Sequence, residues 1–182
     1  MNQLKIIYTY IKQILLHKKY VFEECKACGI TWQGVIHDLS KFSKDELVPS
    51  AMWYFGERTP EAKIEYAKAW RHHKGINKHH WEYWTDFNPE GKVDCLKIPY
   101  KYVVEMVCDW VGAGKAYKKD EWTPLEPLIY YNRVRSGRYF HPETETLILK
   151  FLYCIKDKGL DAFHKMSKCY DYLSEYDNGE QV

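Results

Sequence analysis

Residues 37–41 of this 182-residue chain read His37-Asp38-Leu39-Ser40-Lys41. The adjacent His37 and Asp38 place an imidazole nitrogen and a carboxylate oxygen at neighbouring backbone positions, and both are ligands for divalent metals. Lys41, three residues further on, carries an ammonium group that can hold a phosphate oxygen. A single His-Asp pair is a weak signal, so the prediction of a metal site depends on the rest of the chain.

The histidines are distributed unevenly, which strengthens that prediction. Six of the eight lie in the first half of the chain: His17, His37, His72, His73, His79 and His80. The remaining two, His141 and His164, fall outside this group, and we assign neither of them to the site.

Helical periodicity indicates that His17 faces the interior. On a helix predicted over residues 4–25, His17 follows Tyr10 by seven residues and Ile14 by three, so the three side chains share one face. An inward histidine is either a metal ligand or a core histidine bonded to the backbone, and His17 alone does not distinguish the two.

The same reasoning separates His73 from His72. On a helix predicted over residues 60–73 and stopped by Gly75, His73 follows Tyr66 and Trp70 at spacings of seven and three. His72 falls on the polar side of that helix. We therefore predict that His73 points inward and that His72 is solvated.

Asp109 is the carboxylate that stands out in the predicted helix over residues 99–118. It follows Tyr102 and Met106 at helical spacing and precedes Gly112, so it falls beside an apolar face. A carboxylate there is costly unless it is paired or bound to a metal. The alternative is a solvated aspartate near a loosened helix end. Gly112 and Ala113 would allow another backbone or a ligand to approach closely.

Composition is that of a soluble globular protein. Apolar residues make up 46% and charged residues 29%, aromatics reach 16%, and the net charge of +2 does not by itself point to a nucleic-acid partner. No apolar run approaches the ~18 residues needed to cross a membrane, and the N-terminus lacks a signal-peptide pattern. We therefore expect a cytoplasmic location and six reduced cysteines. Cys25 and Cys28 have zinc-ligand spacing, but without a second such pair we expect packed thiols.

About eight helical patterns and no convincing strand predict an all-α fold. The predicted architecture is a single compact helical bundle over residues 1–182, with a metal-binding core over 14–118 and C-terminal packing helices over 123–176. The second helix, over 32–41, carries the His-Asp pair. The third starts from a capping box at 43–46, and residues 86–95 form a loop.

The ordered pattern His … His-Asp … His … His-His … Asp resembles the HD-domain superfamily of metal-dependent phosphohydrolases. It is most similar to the subgroup with two or three metals, of which the HD-GYP phosphodiesterases are one branch. Their His-Asp-x-Gly-Lys motif corresponds to residues 37–41, with Ser40 in place of the glycine. Their His-His pair resembles His79-His80 and their late aspartate resembles Asp109. The Gly-Tyr-Pro signature is absent, so hydrolysis of cyclic-di-GMP is not implied. The chain also resembles small uncharacterised HD-like proteins from bacteria and phages.

This resemblance implies a site with two divalent ions, Fe, Mn or Zn. Asp38 would bridge the two ions. The first ion would be completed by His17, His37 and Asp109, and the second by His73 with one or both of His79 and His80.

The resemblance also implies roles around the metals. Lys41 would bind the substrate phosphate and, with Asp38, carry the catalysis, helped by Arg71 or Arg58. Trp81, with Tyr83 and Trp84, could stack on a nucleotide base. The alternatives are a solvated helix-end lysine and aromatic rings that serve core packing.

The implied function is hydrolysis of a nucleotide or another small phosphoester. Two alternatives remain: an HD-type di-iron oxygenase, and a non-enzymatic module that is stabilised by metal and binds a ligand. The plainest alternative is that the histidines are scattered and hold no metal. We expect a small-molecule partner, not a membrane or a nucleic acid.

Overall fold

Helices make up the fold, so the all-α prediction is confirmed. The computed structural model describes residues 2–169 together with 176 and 177. In this part of the chain there are eight α-helices and one two-stranded hairpin: α1 Gln3–Ala27, α2 Thr31–Ile36, α3 Leu47–Phe55, α4 Pro60–Ile76, β1 Thr85–Phe87, β2 Val93–Cys95, α5 Tyr100–Lys118, α6 Glu126–Val134, α7 Pro142–Lys158 and α8 Leu160–Met166. No described helix combines the length and the apolar character that crossing a bilayer requires.

Local capping chemistry sets several helix ends. The Asn2 side chain accepts a hydrogen bond from the Lys5 backbone N–H at the start of α1. Thr59 caps α4 in the same way, and Pro60 occupies its first position, where no N–H is needed. α7 ends before Gly159, which has a φ of +81° that glycine adopts without strain.

The backbones of α1 and α5 touch, and this contact positions the site. A Cβ on Gly112 would lie 2.5 Å from Val21 Cγ2 and 2.9 Å from the Val21 backbone nitrogen. Only glycine permits such an approach. Because His17 lies one turn before Val21 and Asp109 one turn before Gly112, the same contact brings these two side chains together.

Two apolar clusters support the helices. The larger one joins α5, α7 and α8 through fully buried residues such as Val107, Phe151 and Phe163. It also holds Cys25 and Cys28, which are buried free thiols as predicted. The smaller cluster, between α1 and α3, consists of Ile6, Tyr10, Ile14 and Ala51.

Residues 86–95 were predicted to form a loop, which is wrong at both ends, because a short strand lies at each end of this range. Thr85 pairs with Cys95 and Phe87 with Val93, in antiparallel register. The turn chemistry between them, with Gly91 at a φ of +75°, was visible in the sequence. The flanking strands are three residues each, too short to show an alternating pattern.

Several predicted helix boundaries also need correction. The second helix ends at Ile36, so the His-Asp pair follows it and is not part of it. α3 starts at Leu47; Ser43 and Glu46 form no capping box, because Glu46 makes no cap bond and bonds to histidines instead. α4 continues through Gly75 to Ile76. The last helix was predicted over 160–176, but α8 ends at Met166 and residues 167–169 are not helical. Residues 170–175, like residues 178–182 of the tail, lie outside the described residues.

Candidate metal centre

Asp38 occupies the middle of the site in an unusual backbone conformation. It has φ 54° and ψ 24°, in the left-handed region, between the end of α2 and a 3₁₀ turn at Leu39–Phe42. Aspartate tolerates this region better than most residues, and non-glycine residues held there cluster at functional sites. The Asp38 side chain is 1% exposed, and its two oxygens face two different sets of side chains.

The first set surrounds Asp38 Oδ2. The Nε2 atoms of His17 and His37 lie 3.6 and 3.4 Å from this oxygen. The same two nitrogens lie 3.0 and 3.4 Å from Asp109 Oδ1. These four residues each offer a ligand atom within 4.8 Å of the others. α1 supplies His17 and α5 supplies Asp109, through the close helix contact at Gly112.

The second set surrounds Asp38 Oδ1. His73 Nε2, from α4, lies 3.3 Å from this oxygen, and His79 Nε2 lies 3.5 Å from it. His80 completes the set, and its ring centroid is 4.8 Å from that of His73. The structure therefore brings together all seven residues that the sequence predicted as ligands, in the two groups that the resemblance implied.

Six of the eight inward-facing atoms of the two sets make no hydrogen bond, whereas Asp38 Oδ2 is paired with Lys41. The six are Asp38 Oδ1 and the Nε2 atoms of His17, His37, His73, His79 and His80. Buried polar atoms without partners are rare and costly in folded proteins. A cation in each set would satisfy several of them at once, and imidazole with carboxylate suits Zn, Fe or Mn. The donor atoms thus fit a centre with two cations.

A buried carboxylate orients one histidine of each set. Glu105 Oε1 accepts hydrogen bonds from Nδ1 of His37 at 2.9 Å and from Nδ1 of His79 at 3.2 Å. When Nδ1 donates in this way, the lone pair is left on Nε2, which is the atom that faces Asp38.

Glu46 orients the second set from the other side. Its carboxylate accepts from His73 Nδ1 and from His72 Nδ1, each at 2.8 Å. His72 is half-exposed, whereas His73 is buried with its Nε2 facing Asp38, so His73 is the inward residue of the two. The Ser40 hydroxyl, two residues after Asp38, lies 3.1 Å from His73 Nδ1 and so contacts the same histidine.

Electrostatics keep the central carboxylates ionised. Burial alone would raise the pKa of Asp38, but His37, Lys41 and His73 hold it well below its ordinary value. The pKa of Asp109 is likewise held low against its burial by His17 and His37. The two ionised carboxylates therefore favour the binding of a cation between them and the histidines.

The pKa values of two of the histidines, His37 and His80, shift in opposite directions. Burial opposes the charged form of His37, yet Asp38, Asp109 and Glu105 together raise its pKa well above the ordinary value. For His80, burial and the neighbouring His79 and His73 lower the pKa well below that value. A neutral His80 has a lone pair available for a metal.

Lys41 lies directly against the centre. Its Nζ is 2.6 Å from Asp38 Oδ2, and the residue lines the adjoining cavity. Burial would lower its pKa, but Asp38 and Asp109 raise it above the ordinary lysine value, so the ammonium stays charged.

A cavity of about 520 Å³ opens onto the site. Both ligand sets contribute to its wall, and much of the remaining wall is aromatic: Tyr10, Tyr54, Tyr66, Trp70, Trp81, Trp110, Tyr117 and Tyr130. Trp81 was predicted to meet the substrate and does line the cavity. Its neighbours Tyr83 and Trp84 do not, and Trp84 packs on Tyr102 instead.

The prediction for Arg71 needs correction. Arg71 is exposed and does not line the cavity, because on α4 it lies about 200° around the helix from the inward His73. Arg58, the other arginine considered, stacks on Trp53 and is also outside the cavity wall.

Four residues that contact the candidate ligands or line the cavity were missed. Glu105 lies four residues before Asp109 in a run of buried apolar residues, a signal that could have revealed it. Glu46 was assigned to a helix cap. Arg133 and Arg138 line the cavity but belong to a region that was predicted to serve packing alone, and α6 contributes Ile129 and Tyr130 to the same wall.

The fold and the site define an all-α protein with a buried histidine–aspartate centre beside an aromatic cavity. The chain belongs to a family of unknown function, DUF5662, whose model matches residues 6–153. That match contains both ligand sets and the two orienting glutamates. No curated protein and no solved structure matches the chain.

Proposed function

We propose that this protein is a metal-dependent phosphohydrolase of the HD type, acting on a nucleotide or another small phosphoester through two metal ions. One observation carries the proposal. The two oxygens of a single buried carboxylate, Asp38, each face a separate set of three further ligand atoms.

In this proposal each residue set holds one ion. His17, His37 and Asp109 would hold the first together with Asp38. His73, His79 and His80 would hold the second, also together with Asp38. Two neighbouring divalent ions would supply a water of lowered pKa and neutralise the charge on a phosphoester.

The other residues bind and orient the substrate. Lys41, charged and in the cavity wall, binds a phosphate oxygen beside the centre. The cavity lies within the ~300–1,000 Å³ range of small-molecule sites. Its aromatic rings, such as Trp81 and Trp70, can contact a base or another flat group.

The test begins with metal content and turnover. We expect about two ions per chain in protein purified without added metal or a histidine tag. The metal-loaded protein should then release phosphate or alcohol from members of a nucleotide and phosphoester panel. Oxygen consumption is measured on the iron-loaded protein, since the same ligands suit the di-iron oxygenase alternative. Oxygen consumption without phosphoester hydrolysis would overturn the proposal.

The matched variant is Asp38→Asn, because asparagine tolerates the same left-handed backbone while losing the charge. We expect it to lose metal and activity and to keep its helical circular dichroism spectrum. The exposed Asp120, changed to asparagine, serves as the control and should retain both ions. Full metal content in the Asp38 variant would show that Asp38 does not join the two ions.

A further inference from the structure

Two arginines form a second charged region in the cavity wall. Arg133 comes from α6 and Arg138 from the segment that follows it, and both line the cavity that the metal centre shares. Arg133 is exposed and Arg138 is half-buried. Neither residue belongs to an element that supplies a metal ligand.

Ion pairing accounts for the other cations in the wall but not for these two. Lys118 lies 2.7 Å from Glu126, and Lys41 lies 2.6 Å from Asp38. Across the described part of the chain, no carboxylate is paired with Arg133 or Arg138, whereas Arg135 pairs with a glutamate outside the cavity. The two guanidinium groups therefore keep uncompensated positive charge at the cavity.

Aromatic contacts hold these groups in place. The Arg138 guanidinium donates to the Tyr130 hydroxyl at 2.8 Å and lies 5.2 Å from the ring centroids of Trp110 and Tyr130. The Arg133 guanidinium lies 5.6 Å from the same Tyr130 ring. A stacked arginine retains N–H donors in a planar fork, which matches the oxygens of a phosphate.

We propose that Arg133 and Arg138 form an anion subsite that binds a second phosphate group of the substrate. The substrate class is then a phosphoester with two phosphates, one at the metal centre and the other on these arginines. The inference rests on the proposed function for the role of the metal centre, while the subsite itself rests on the unpaired guanidinium groups.

The test uses ligands that cannot be turned over. Alkane bisphosphonates of increasing chain length, with the phosphonates at opposite ends, are titrated calorimetrically into the metal-loaded full chain. Alkyl monophosphonates of the same lengths serve as one-anion references. We expect one range of lengths to bind at least about tenfold more tightly than its monophosphonates, as charge-assisted hydrogen bonds to a second anion predict.

The variant R133Q/R138Q should lose that preference and retain its affinity for monophosphonates within about twofold, with unchanged metal content. R135Q removes a single positive charge outside the cavity and should leave the preference intact. Equal binding of both ligand series by the unaltered protein, or a preference that survives in R133Q/R138Q, would overturn the subsite.

The two proposals fail in different ways. A bisphosphonate preference that depends on the arginines, without hydrolysis of any phosphoester, supports the subsite and overturns the hydrolase. Hydrolysis of monoesters with no such preference overturns the subsite and leaves the hydrolase standing.

Discussion

Glu105 Oε1 accepts a hydrogen bond from His37 Nδ1 at a distance of 2.9 Å, inside the protein core. The same oxygen accepts from His79 Nδ1, and His37 and His79 belong to different ligand sets. One carboxylate therefore fixes the ring orientation of a ligand in each half of the centre. Its own pKa is held below the ordinary glutamate value, since the bonds from His37 and His79 outweigh its burial.

We predict that Glu105→Gln weakens the binding of both ions. Loss of an orienting carboxylate typically costs 10–100-fold in metal affinity, and here it affects both sets. Competition with a chromogenic chelator measures the two affinities. Glu82→Gln is the control, since Glu82 lines the cavity but bonds to Lys74. Unchanged affinity in the Glu105 variant would show that the histidines are oriented without it.

Much of the candidate site could be predicted because most of its residues lie on helices. On α1, α4 and α5, spacing relative to apolar neighbours identifies the inward face, and this singled out His17, His73 and Asp109, whose side chains the structure places around Asp38. His37 and Asp38 were found by their pairing, although their position after α2 was not foreseen. The left-handed backbone at Asp38 depends on tertiary contacts that no local pattern encodes.

The residues that were missed act through contacts between distant parts of the chain. Glu46 has a sequence context that favours a helix cap, and only the arrival of α4 gives it histidine partners instead. Arg133 and Arg138 have ordinary surface surroundings in the sequence. They become part of the cavity wall only because α6 packs beside α5.

A second prediction separates the adjacent histidines of α4. His73→Ala should reduce the metal content from about two ions to about one per chain, because it removes a ligand from the second set alone. His72→Ala removes only a half-exposed bond to Glu46 and should keep both ions. Elemental analysis of the two purified variants measures this. A large loss of metal from the His72 variant would contradict our assignment.

A third prediction concerns the contact of α1 with α5. Gly112→Ala would place a methyl group 2.5 Å from Val21 Cγ2, so the helices must separate. We expect the free energy of unfolding, from urea titration, to fall by about 1–3 kcal/mol. Metal affinity of the first set should fall too, since His17 and Asp109 lie on these helices.

Gly75→Ala is the matched control for this experiment. Gly75 also lies in a helix, but an added Cβ there meets no atom within 4 Å. That variant should be as stable as the unaltered protein or more stable by up to ~1 kcal/mol, because alanine favours helices. Equal losses of stability in the two variants would show that the close α1–α5 contact does not require glycine at position 112.

The fourth prediction is a pH dependence of stability that arises outside the metal centre. His164 Nε2 lies 2.8 Å from Glu24 Oε2, and Lys115 Nζ lies 2.5 Å from the other oxygen. The bond to Glu24 raises the pKa of His164 above 6.5, despite partial burial. Burial opposes ionisation of Glu24, but His164 and Lys115 lower its pKa below 4.5.

The direction in which each group changes the stability with pH follows from the linkage between protonation and folding. A raised histidine pKa stabilises the fold fully below 6.5, and this contribution is lost as the pH rises through the folded-state pKa. A lowered glutamate pKa stabilises above 4.5, and that contribution is lost as the pH falls through the folded-state value. The pair therefore contributes most between these two pH values.

We expect His164→Gln to lower the free energy of unfolding by on the order of 1 kcal/mol near pH 6 and by less near pH 9. Urea titrations of the variant and the unaltered protein at both pH values measure this difference. Any contribution of metal binding is common to the two proteins and cancels when their free energies of unfolding are subtracted. Glu24→Gln in the His164→Gln background should then add no further pH dependence above pH 6, since the titrating partner is already gone. A difference that is constant from pH 6 to pH 9 would mean that His164 stabilises the fold by packing and not as a charged partner of Glu24.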